Sequence, residues 1–443
     1  MLTRVEIDGF KTFAEFTLDL RPFSAIVGPN ASGKSNLFDA LRFLSLLAQH
    51  DIRTAMQDLR GDPEELFRKT PFSVSEKIRF AIEVVVDANG SDAFSTSYIL
   101  KTQRLRYELE ISLKPRGIFV THESCTPIAK KTDTAEYIRK SSVSYAAQIG
   151  PLIRMSEVSR GEPFAIVIRQ DGENKRGRPV MLPAQEATRT ALSTITTAEF
   201  PHLYALKNFL ASVRFLELNP QAARKPNDRY EARALRPDAS NLSAVLASLK
   251  EETCSEVRPE GVLSDISMDL ASLIPSVKSI EVDTDDSAKE YSYGVMTSEG
   301  LYFSSRVISD GTLRLLALLT VLNDPNRRGL LCFEEPENGV HEGRIDALVD
   351  FLRSAATDFS KESGDPVFQV IINTHSPAVM EALEPHEIVV ADTITVIDPA
   401  ARTKTVKSRM RTGVQDNLSL LDPEVQLTRG EVRTILKRPS NAA

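Results

Sequence analysis

The spacing of apolar residues near the N-terminus changes abruptly from a strand pattern to a helical one. The segments TRVEIDG (3–9), EFTLDL (15–20) and SAIVG (24–28) read as short strands, whereas GKSNLFDALRFLSLLAQH (33–50) has helical spacing. Alternating stretches between residues 78 and 113, such as IRFAIEVVVD, favour further strands of an antiparallel sheet. The pattern predicts a β-rich beginning that contains one strand–loop–helix unit.

Strand and helix alternate again after residue 300. Helical spacing occurs in TLRLLALLTVLND (312–324) and RIDALVDFLRSAA (344–356), and apolar strands occur in GLLCFEE (329–335) and VFQVIINTH (367–375). This alternation implies a parallel α/β sheet. We therefore expect four segments, which are an N-terminal part at 1–113, an inserted mixed helix and strand lobe at 114–290, a C-terminal α/β part at 291–408 and a basic tail at 409–443.

Charge and composition exclude some classes of protein. The 443 residues include 54 Lys and Arg against 61 Asp and Glu, a net charge of −7, which excludes a uniformly basic surface but not local basic patches. No stretch has the apolar length of a membrane span or of a signal peptide, so we expect a cytoplasmic protein that does not associate with a membrane. The three cysteines show no metal-type spacing.

A phosphate-binding loop is predicted between the third strand and the first helix. Gly28-Pro29-Asn30-Ala31-Ser32-Gly33-Lys34-Ser35 fits G-x-x-x-x-G-K-[ST] in the strand-to-helix context that the motif requires. Backbone N–H groups of such a loop surround phosphate oxygens, the lysine reaches the β and γ phosphates, and the Ser35 hydroxyl can ligate Mg²⁺. A nucleoside triphosphate is the expected ligand.

Three further motifs place polar groups at the ends of apolar elements. Strand 329–335 ends in Glu334 and Glu335, which we expect to hold Mg²⁺ and to activate the attacking water, respectively; the alternative is a solvated acidic strand end. His375 follows the next strand and suits a γ-phosphate sensor, although a lone histidine is more often structural. Residues 309–312 (SDGT) open a helix and are either a plain cap or an anion site.

In this order, the motifs resemble those of the ATP-binding-cassette (ABC) ATPases. The segments IDGFK (7–11), GPNASGKSN (28–36), ISDGT (308–312), EEPENGVH (334–341) and NTHSP (373–377) are most similar to the SMC-like and RecF-like branch, including the ATPase portion of OLD-family proteins. The resemblance implies an α/β fold, an ABC-type P-loop ATPase head. That head has an antiparallel β subdomain, a parallel sheet core with flanking helices and an inserted α+β lobe.

The family also implies how ATP is bound and hydrolysed. Two ATP molecules with Mg²⁺ would lie in a head-to-tail homodimer, and each would be contacted in one protomer by Asn30, Ala31, Ser32, Gly33, Lys34, Ser35, Asn36, Phe10 and Lys11. Ser309, Gly311 and the D-loop residue Asn338 would act in trans, Glu335 and His375 would be catalytic, and Ser35 and Glu334 would hold the metal.

This sequence departs from the family pattern at three points. Glu334 replaces the usual aspartate and Asp310 replaces a small residue. No Gln-loop is obvious, and Gln57 is a candidate only because it lies between the first helix and the following strands. We therefore expect slow hydrolysis.

The leading functional hypothesis is an ATPase whose ATP-driven dimerisation, or assembly into a larger homo-oligomer, controls DNA or RNA engagement or a separate effector protein such as a nuclease. Anti-phage defence and DNA repair are the settings that the resemblance implies. Two basic clusters and the basic tail would supply nucleic-acid contacts: Lys101, Arg104, Arg106, Lys114 and Arg116; Arg224, Lys225, Arg229, Arg233 and Arg236; and the basic residues from Arg402 to Arg438.

Two alternatives to this hypothesis are the ATPase subunit of a membrane transporter and a regulatory ATPase that acts only on a protein partner. The separation of 375 − 34 = 341 residues between Lys34 and His375 argues against the transporter, whose motifs lie closer together. The residues after the last predicted strand are too few for the metal-binding nuclease domain of OLD relatives, so any cutting would need a partner.

Overall fold

The computed structural model describes residues 1–146, 149–156, 165–171, 179–361, 365–398, 403–415 and 427–437. Parts of the predicted basic tail, including Arg402 and Arg438, lie outside these ranges. Within them, no helix combines the length and the hydropathy that crossing a membrane requires.

The strands within the described ranges are β1 (Leu2–Asp8), β2 (Phe16–Asp19), β3 (Phe23–Val27), β4 (Lys77–Val85), β5 (Asn89–Ser91), β6 (Ser97–Ile99), β7 (Arg104–Lys114), β8 (Gly117–Pro127), β9 (Ile153–Met155), β10 (Ala165–Ile168), β11 (Val180–Pro183), β12 (Val213–Leu216), β13 (Asn227–Asp228), β14 (Val277–Asp285), β15 (Glu290–Thr297), β16 (Tyr302–Ser304), β17 (Gly329–Glu334), β18 (Phe368–Thr374), β19 (Ile388–Asp398), β20 (Thr403–Arg411), β21 (Val414–Gln415) and β22 (Leu427–Thr428). The α-helices are α1 (Lys34–Leu47), α2 (Ile52–Gln57), α3 (Glu136–Arg139), α4 (Pro201–Ala211), α5 (Pro220–Ala223), α6 (Leu242–Thr253), α7 (Leu263–Leu273), α8 (Asp310–Leu322), α9 (Ile345–Ala355), α10 (Pro377–Ala382) and α11 (Arg429–Lys437).

The chain forms two compact units. Unit 1 comprises Met1–Val213, Thr357–Gln369 and Pro385–Ala443, and unit 2 comprises Arg214–Ala356 and Val370–Glu384. These units differ from the four segments predicted from the sequence. The expected boundary after residue 113 falls at the end of β7. Because β7 pairs directly with β8 on the other side of the turn, the sheet continues past this boundary.

An eight-stranded antiparallel sheet dominates unit 1, in the order β11-β10-β9-β8-β7-β4-β1-β2. Its strands alternate as predicted: β1 buries Val5 and Ile7 and partly exposes Glu6 between them. The predicted strands at the N-terminus and between residues 78 and 113 are confirmed.

A smaller group of strands in unit 1 supports the phosphate loop. Every residue of β3 is buried, and β3 pairs in parallel with β19, with Ile26 opposite Val389. Since β19 in turn pairs antiparallel with β20, the strand that precedes the phosphate loop is covered by the hairpin near the C-terminus. Helix α1 follows the loop, as its spacing predicted.

Unit 2 combines the helices α5 to α10 with an antiparallel sheet, in which β15 pairs with β14, β13 and β16. Nearly every residue of α8 after its first turn is buried, which explains why the sequence of this helix has no polar face. The predicted elements at 312–324, 329–335, 344–356 and 367–375 are confirmed as α8, β17, α9 and β18.

The side chain of Arg104 is fully buried in unit 1. Its Nε lies 2.6 Å from Asp133 Oδ2, its Nη2 lies 2.8 Å from Asp133 Oδ1, and its Nη1 donates to Thr3 Oγ1 at 2.9 Å. Both members of this pair have 0% side-chain exposure. Arg104 is therefore a structural residue, and it is not accessible to nucleic acid as the sequence suggested.

Replacing Arg104 with Leu should reduce the free energy of unfolding by about 3–5 kcal/mol, because Asp133 would remain as an uncompensated buried charge. Urea denaturation measures the loss. The matched control is Arg116→Leu, since the Arg116 side chain is 86% exposed and lies 3.8 Å from Glu186, and we expect it to change stability by less than about 1 kcal/mol. Equal losses in the two variants would contradict a structural role for the buried pair.

Candidate functional site

The phosphate loop of unit 1 has the backbone that the motif requires. Ala31 and Gly33 adopt left-handed conformations, with φ of 62° and 96°, and Gly33 caps α1. A Cβ on Gly28 would lie 2.3 Å from the carbonyl oxygen of Ala391 on β19, so only glycine fits there. The loop is thus shaped by its glycines and by the neighbouring strand.

Two side chains of the loop are buried and face its interior. Lys34 Nζ donates to the carbonyl oxygens of Gly28 and Pro29 at 2.6 and 2.8 Å, so its ammonium is folded back across the loop. The buried Ser32 hydroxyl has no hydrogen-bond partner among the described residues. Asn30 and Ala31 are exposed, and Ser35 and Asn36 are half-buried. A ligand with acceptor oxygens would satisfy both groups that face inwards.

The structure places Phe10 and Lys11 differently from each other. Phe10 is fully buried, stacks on Phe43 at a ring distance of 6.1 Å and contacts Phe80, so its ring is a core ring that is not accessible to a nucleotide base. Lys11 lies on the surface side of this cluster, and its Nζ is 2.6 Å from Asp39 Oδ2 on α1. Only Lys11 therefore keeps a polar group close to the helix that follows the loop.

Two residues beside the loop were not identified from the sequence. Thr12 Oγ1 accepts a hydrogen bond from Asn36 Nδ2 at 2.9 Å and lies 2.8 Å from Ser408 Oγ on β20. A Cβ on Gly33 would lie 2.2 Å from the same Ser408 hydroxyl oxygen. Thr12 and Ser408 belong to no motif, and no local pattern could have found them, because only the folded chain brings them to the loop.

In unit 2, the strand β17 ends at the predicted pair of carboxylates. Glu334 Oε1 accepts a hydrogen bond from Asn373 Nδ2 at 3.0 Å. Glu335 leaves the strand in a left-handed conformation, with φ of 48°, and its backbone N–H donates to Asn373 O at 2.8 Å. Such a conformation in a residue other than glycine costs about 1–3 kcal/mol and is concentrated at functional sites. The two neighbouring carboxylates therefore have different surroundings.

The Glu335 carboxylate meets the predicted histidine. His375 Nδ1 lies 2.6 Å from Glu335 Oε1, and Asn338 Nδ2 lies 3.4 Å from Glu335 Oε2. Glu337 is close by and accepts a hydrogen bond from Thr374 Oγ1 at 2.5 Å. Burial raises the pKa of the Glu337 carboxyl, and Glu335 adds to this effect. The structure thus brings together the two residues that the sequence predicted to be catalytic.

Oxygen donors at this strand end suit a hard cation such as Mg²⁺. Glu335, Glu337 and His375 can place one ligand atom each within 4.8 Å of one another. Glu334, the metal ligand predicted from the sequence, ends the strand but is not one of these three residues.

Arg314 is a third residue that the sequence did not identify. It lies on α8 and its guanidinium donates to the carbonyl oxygens of Glu334 and Glu335, the second at 3.4 Å. It also stacks over the Phe333 ring at 4.8 Å. Burial lowers the pKa of this guanidinium, although the three nearby glutamates act in the opposite direction. A single cation in an otherwise apolar helix was the signal that could have identified it.

The start of α8 touches the predicted D-loop, residues 338–341, through the backbones of the two segments. Ser309 caps the helix by accepting a hydrogen bond from Thr312 N at 3.2 Å, and it is exposed. A Cβ on Gly311 would lie 2.9 Å from Gly339 Cα, and one on Gly339, where φ is 97°, would lie 2.6 Å from Gly311 Cα. The predicted trans-acting Ser309, Gly311 and Asn338 are therefore on adjoining segments of one unit.

Most cations of the predicted basic clusters are paired with carboxylates. In the second cluster, four of five members contact an acid, the pairs being Arg224–Asp310, Arg229–Asp286, Arg233–Glu252 and Arg236–Glu231. In the first, Arg106 contacts Glu6, Glu83 and Glu108. Gln57, the Gln-loop candidate, is an exposed residue at the end of α2.

Comparisons with known proteins concern the family and the fold of the chain. The family described as "AAA domain, putative AbiEii toxin, Type IV TA system" matches residues 23–381. Chromosome partition protein Smc of Methanocaldococcus jannaschii is 50% identical over 44 residues, and that of Halothermothrix orenii is 51% identical over 45 residues. Each match covers 10% of this chain, which spans only 4% of the length of these relatives.

A solved structure has the same fold. The crystal structure of the SmcHead bound to the C-winged helix domain of ScpA aligns with a TM-score of 0.50 at 13% identity, covering 93% of this chain and 98% of that one. At this identity the likeness concerns the fold alone. The predicted ABC-type head fold, of the SMC-like kind, is confirmed.

Replacing Gly339 with Ala should destabilise the protein by about 1–3 kcal/mol more than replacing Gly300 with Ala. Gly300 is the matched control, since its φ of 78° is also left-handed but nothing lies within 4 Å of an added Cβ. The difference between the two variants in urea denaturation therefore isolates the clash with Gly311. If both variants lose the same stability, the close approach of the two backbones is not a constraint.

Proposed function

The chain belongs to this AAA-domain family, and from that premise we propose that it is an ATPase whose ATP-bound form is a head-to-tail homodimer. The observation that carries the proposal is the phosphate loop, where left-handed Ala31 and Gly33, the buried ammonium of Lys34 and the unpartnered Ser32 hydroxyl form an anion-binding cradle. On ATP binding, Lys34 exchanges its two carbonyl acceptors for phosphate oxygens.

For hydrolysis, we assign distinct roles to the two carboxylates at the end of β17. Glu335 accepts the proton of the attacking water, and His375, which is hydrogen-bonded to it, orients the carboxylate and senses the γ-phosphate. Glu334 is the proposed Mg²⁺ ligand of unit 2, and Ser35 is the proposed Mg²⁺ ligand of unit 1. When bound, Mg²⁺ offsets the negative charge of the phosphates. The hydrogen bond from Asn373 holds the Glu334 side chain apart from that of Glu335.

Dimerisation follows from contacts that need the γ-phosphate. We propose that Ser309 and Gly311 of one protomer, with Asn338, contact the ATP held by the other protomer. Because these contacts exist only in the closed dimer with ATP, hydrolysis removes the bias towards closure. Exposed Ser309 at the start of a 13-residue helix supports this role, since a helix N-terminus favours anions.

We propose that the dimer acts on a separate effector protein. The supporting observation is the pairing of the clustered arginines with carboxylates, because paired cations release few counterions on binding nucleic acid. A toxin–antitoxin setting fits the family description.

Lys34→Ala should weaken ATP binding by at least about tenfold, because each charge-assisted hydrogen bond is worth about 1.5–3 kcal/mol. Titration with a fluorescent ATP analogue measures this loss. Lys69→Ala is the control, since Lys69 is half-exposed and lies 3.9 Å from Glu65. Unchanged affinity in Lys34→Ala would contradict the assignment of the loop.

Glu335→Gln should retain ATP binding, lose hydrolysis by roughly 10²–10⁴-fold and accumulate an ATP-bound dimer. Phosphate release and light scattering measure the two effects, with the exposed Glu299→Gln as control. Hydrolysis at the parent rate would show that Glu335 is not the general base.

DNA affinity of the ATP-bound Glu335→Gln protein should be weak and should change little between 50 and 200 mM salt. Fluorescence anisotropy with labelled duplex and single-stranded DNA measures it. An affinity that requires ATP and falls about a thousandfold over this range would instead support direct nucleic-acid engagement.

A further inference from the structure

Asp310 creates an electrostatic problem at the start of α8. Asp310 is the first helical residue after Ser309, and its side chain is 68% exposed. A helix N-terminus stabilises a carboxylate, but the same place is proposed to receive the phosphates of the partner's ATP. A negative charge between Ser309 and Gly311 would repel that polyanion unless something neutralises it.

Arg224 neutralises this carboxylate. It follows the short helix α5, and its Nη2 lies 2.5 Å from Asp310 Oδ1 and 2.7 Å from the carbonyl oxygen of Ile308. One guanidinium group thus binds both the backbone of Ile308, which precedes the cap residue Ser309, and the side chain of Asp310, which follows it. Its own side chain is only 23% exposed.

The backbone around Arg224 is fixed on several sides. The Arg224 carbonyl accepts a hydrogen bond from Ser305 Oγ at 2.8 Å, and the preceding Ala223 carbonyl accepts one from the buried Tyr293 hydroxyl at 3.0 Å. Asn219 caps α5 by accepting from the backbone N–H groups of Gln221 and Ala222. The arginine is therefore presented to the start of α8 from a rigid support.

We propose that Arg224 is a positioning residue for the trans phosphate contact. It cancels the charge of Asp310 and holds that carboxylate to one side, so that Ser309 and Gly311 can bind the γ-phosphate of a nucleoside triphosphate. This inference rests on the proposed ATP-driven dimer. Direct contact of Arg224 with phosphate is the less favoured reading, because both hydrogen bonds of its Nη2 go to the α8 start itself.

The test is a double-mutant cycle in the Glu335→Gln background. The concentration of ATP that gives half-maximal dimer is measured by light scattering for the parent, Arg224→Gln, Asp310→Ser and the double variant. Arg224→Gln should raise this concentration at least about tenfold, and added salt should reduce the defect by screening the repulsion. Asp310→Ser should lower it, and the double variant should return to within about threefold of the parent.

Rescue by Asp310→Ser is the decisive result, since a purely structural role of Arg224 or a direct phosphate contact would not be rescued by removing the neighbouring carboxylate. A double variant as defective as Arg224→Gln overturns the proposal. If Arg224→Gln does not fold, as judged by urea denaturation, Arg224→Lys takes its place. Because the lysine keeps the positive charge beside Asp310, the ATP concentration for half-maximal dimer should rise less than about tenfold. A rise of about tenfold or more in Arg224→Lys overturns the proposal.

Arg229→Gln is the matched control, because Arg229 also pairs with an exposed carboxylate, Asp286, in the same unit. A defect of equal size in this variant would overturn the specificity of Arg224. Failure of the underlying function is distinguishable: a Glu335→Gln protein that forms no dimer with ATP contradicts the proposed ATPase switch, whereas a dimerising parent with an equally competent Arg224→Gln contradicts only the present inference.

Discussion

The left-handed turn at Glu335 is the constraint on which the proposed functional residues of unit 2 depend. A strand that continued straight would carry Glu335 away from His375, whereas the turn, tied by its N–H to Asn373, directs the carboxylate to the imidazole. The same turn starts the D-loop, which brings Gly339 against Gly311, and it presents the carbonyl oxygens that Arg314 binds. One strained residue thereby sets the positions of the strand end, the D-loop and the first turns of α8.

Charge pairing is the second organising feature. The arginines that would make a basic surface are instead joined to acids, in the buried pair of Arg104 with Asp133 and at Arg224 with Asp310. Removing one partner of the buried pair leaves a charge in a medium that solvates it poorly, whereas exposed pairs contribute little to stability. Pairing with acids therefore reduces the positive charge that the arginines of the two clusters present.

Local patterns predicted most of the elements and motifs, because helix and strand periodicity and the phosphate loop are properties of short segments. The sequence could not show that Phe10 is a core ring, that Arg104 is buried or that Ser408 lies against Gly33, since each depends on contacts between distant segments. It also placed a lobe boundary after residue 113, where the sheet in fact continues through the β7–β8 hairpin. The missed residues share one property: their roles are set by a partner far away in the chain.

The hydrogen bonds that join Asn36, Thr12 and Ser408 have a consequence for biosynthesis. The ribosome makes the phosphate loop long before it makes β20, the strand whose Ser408 lies against Gly33. Contacts of such long sequence separation form late in folding, because a large loop of chain has to close first. The proposed nucleotide cradle thus acquires its complete wall only after β20 has been made, so a nascent chain lacks a finished cradle until β19 and β20 have paired.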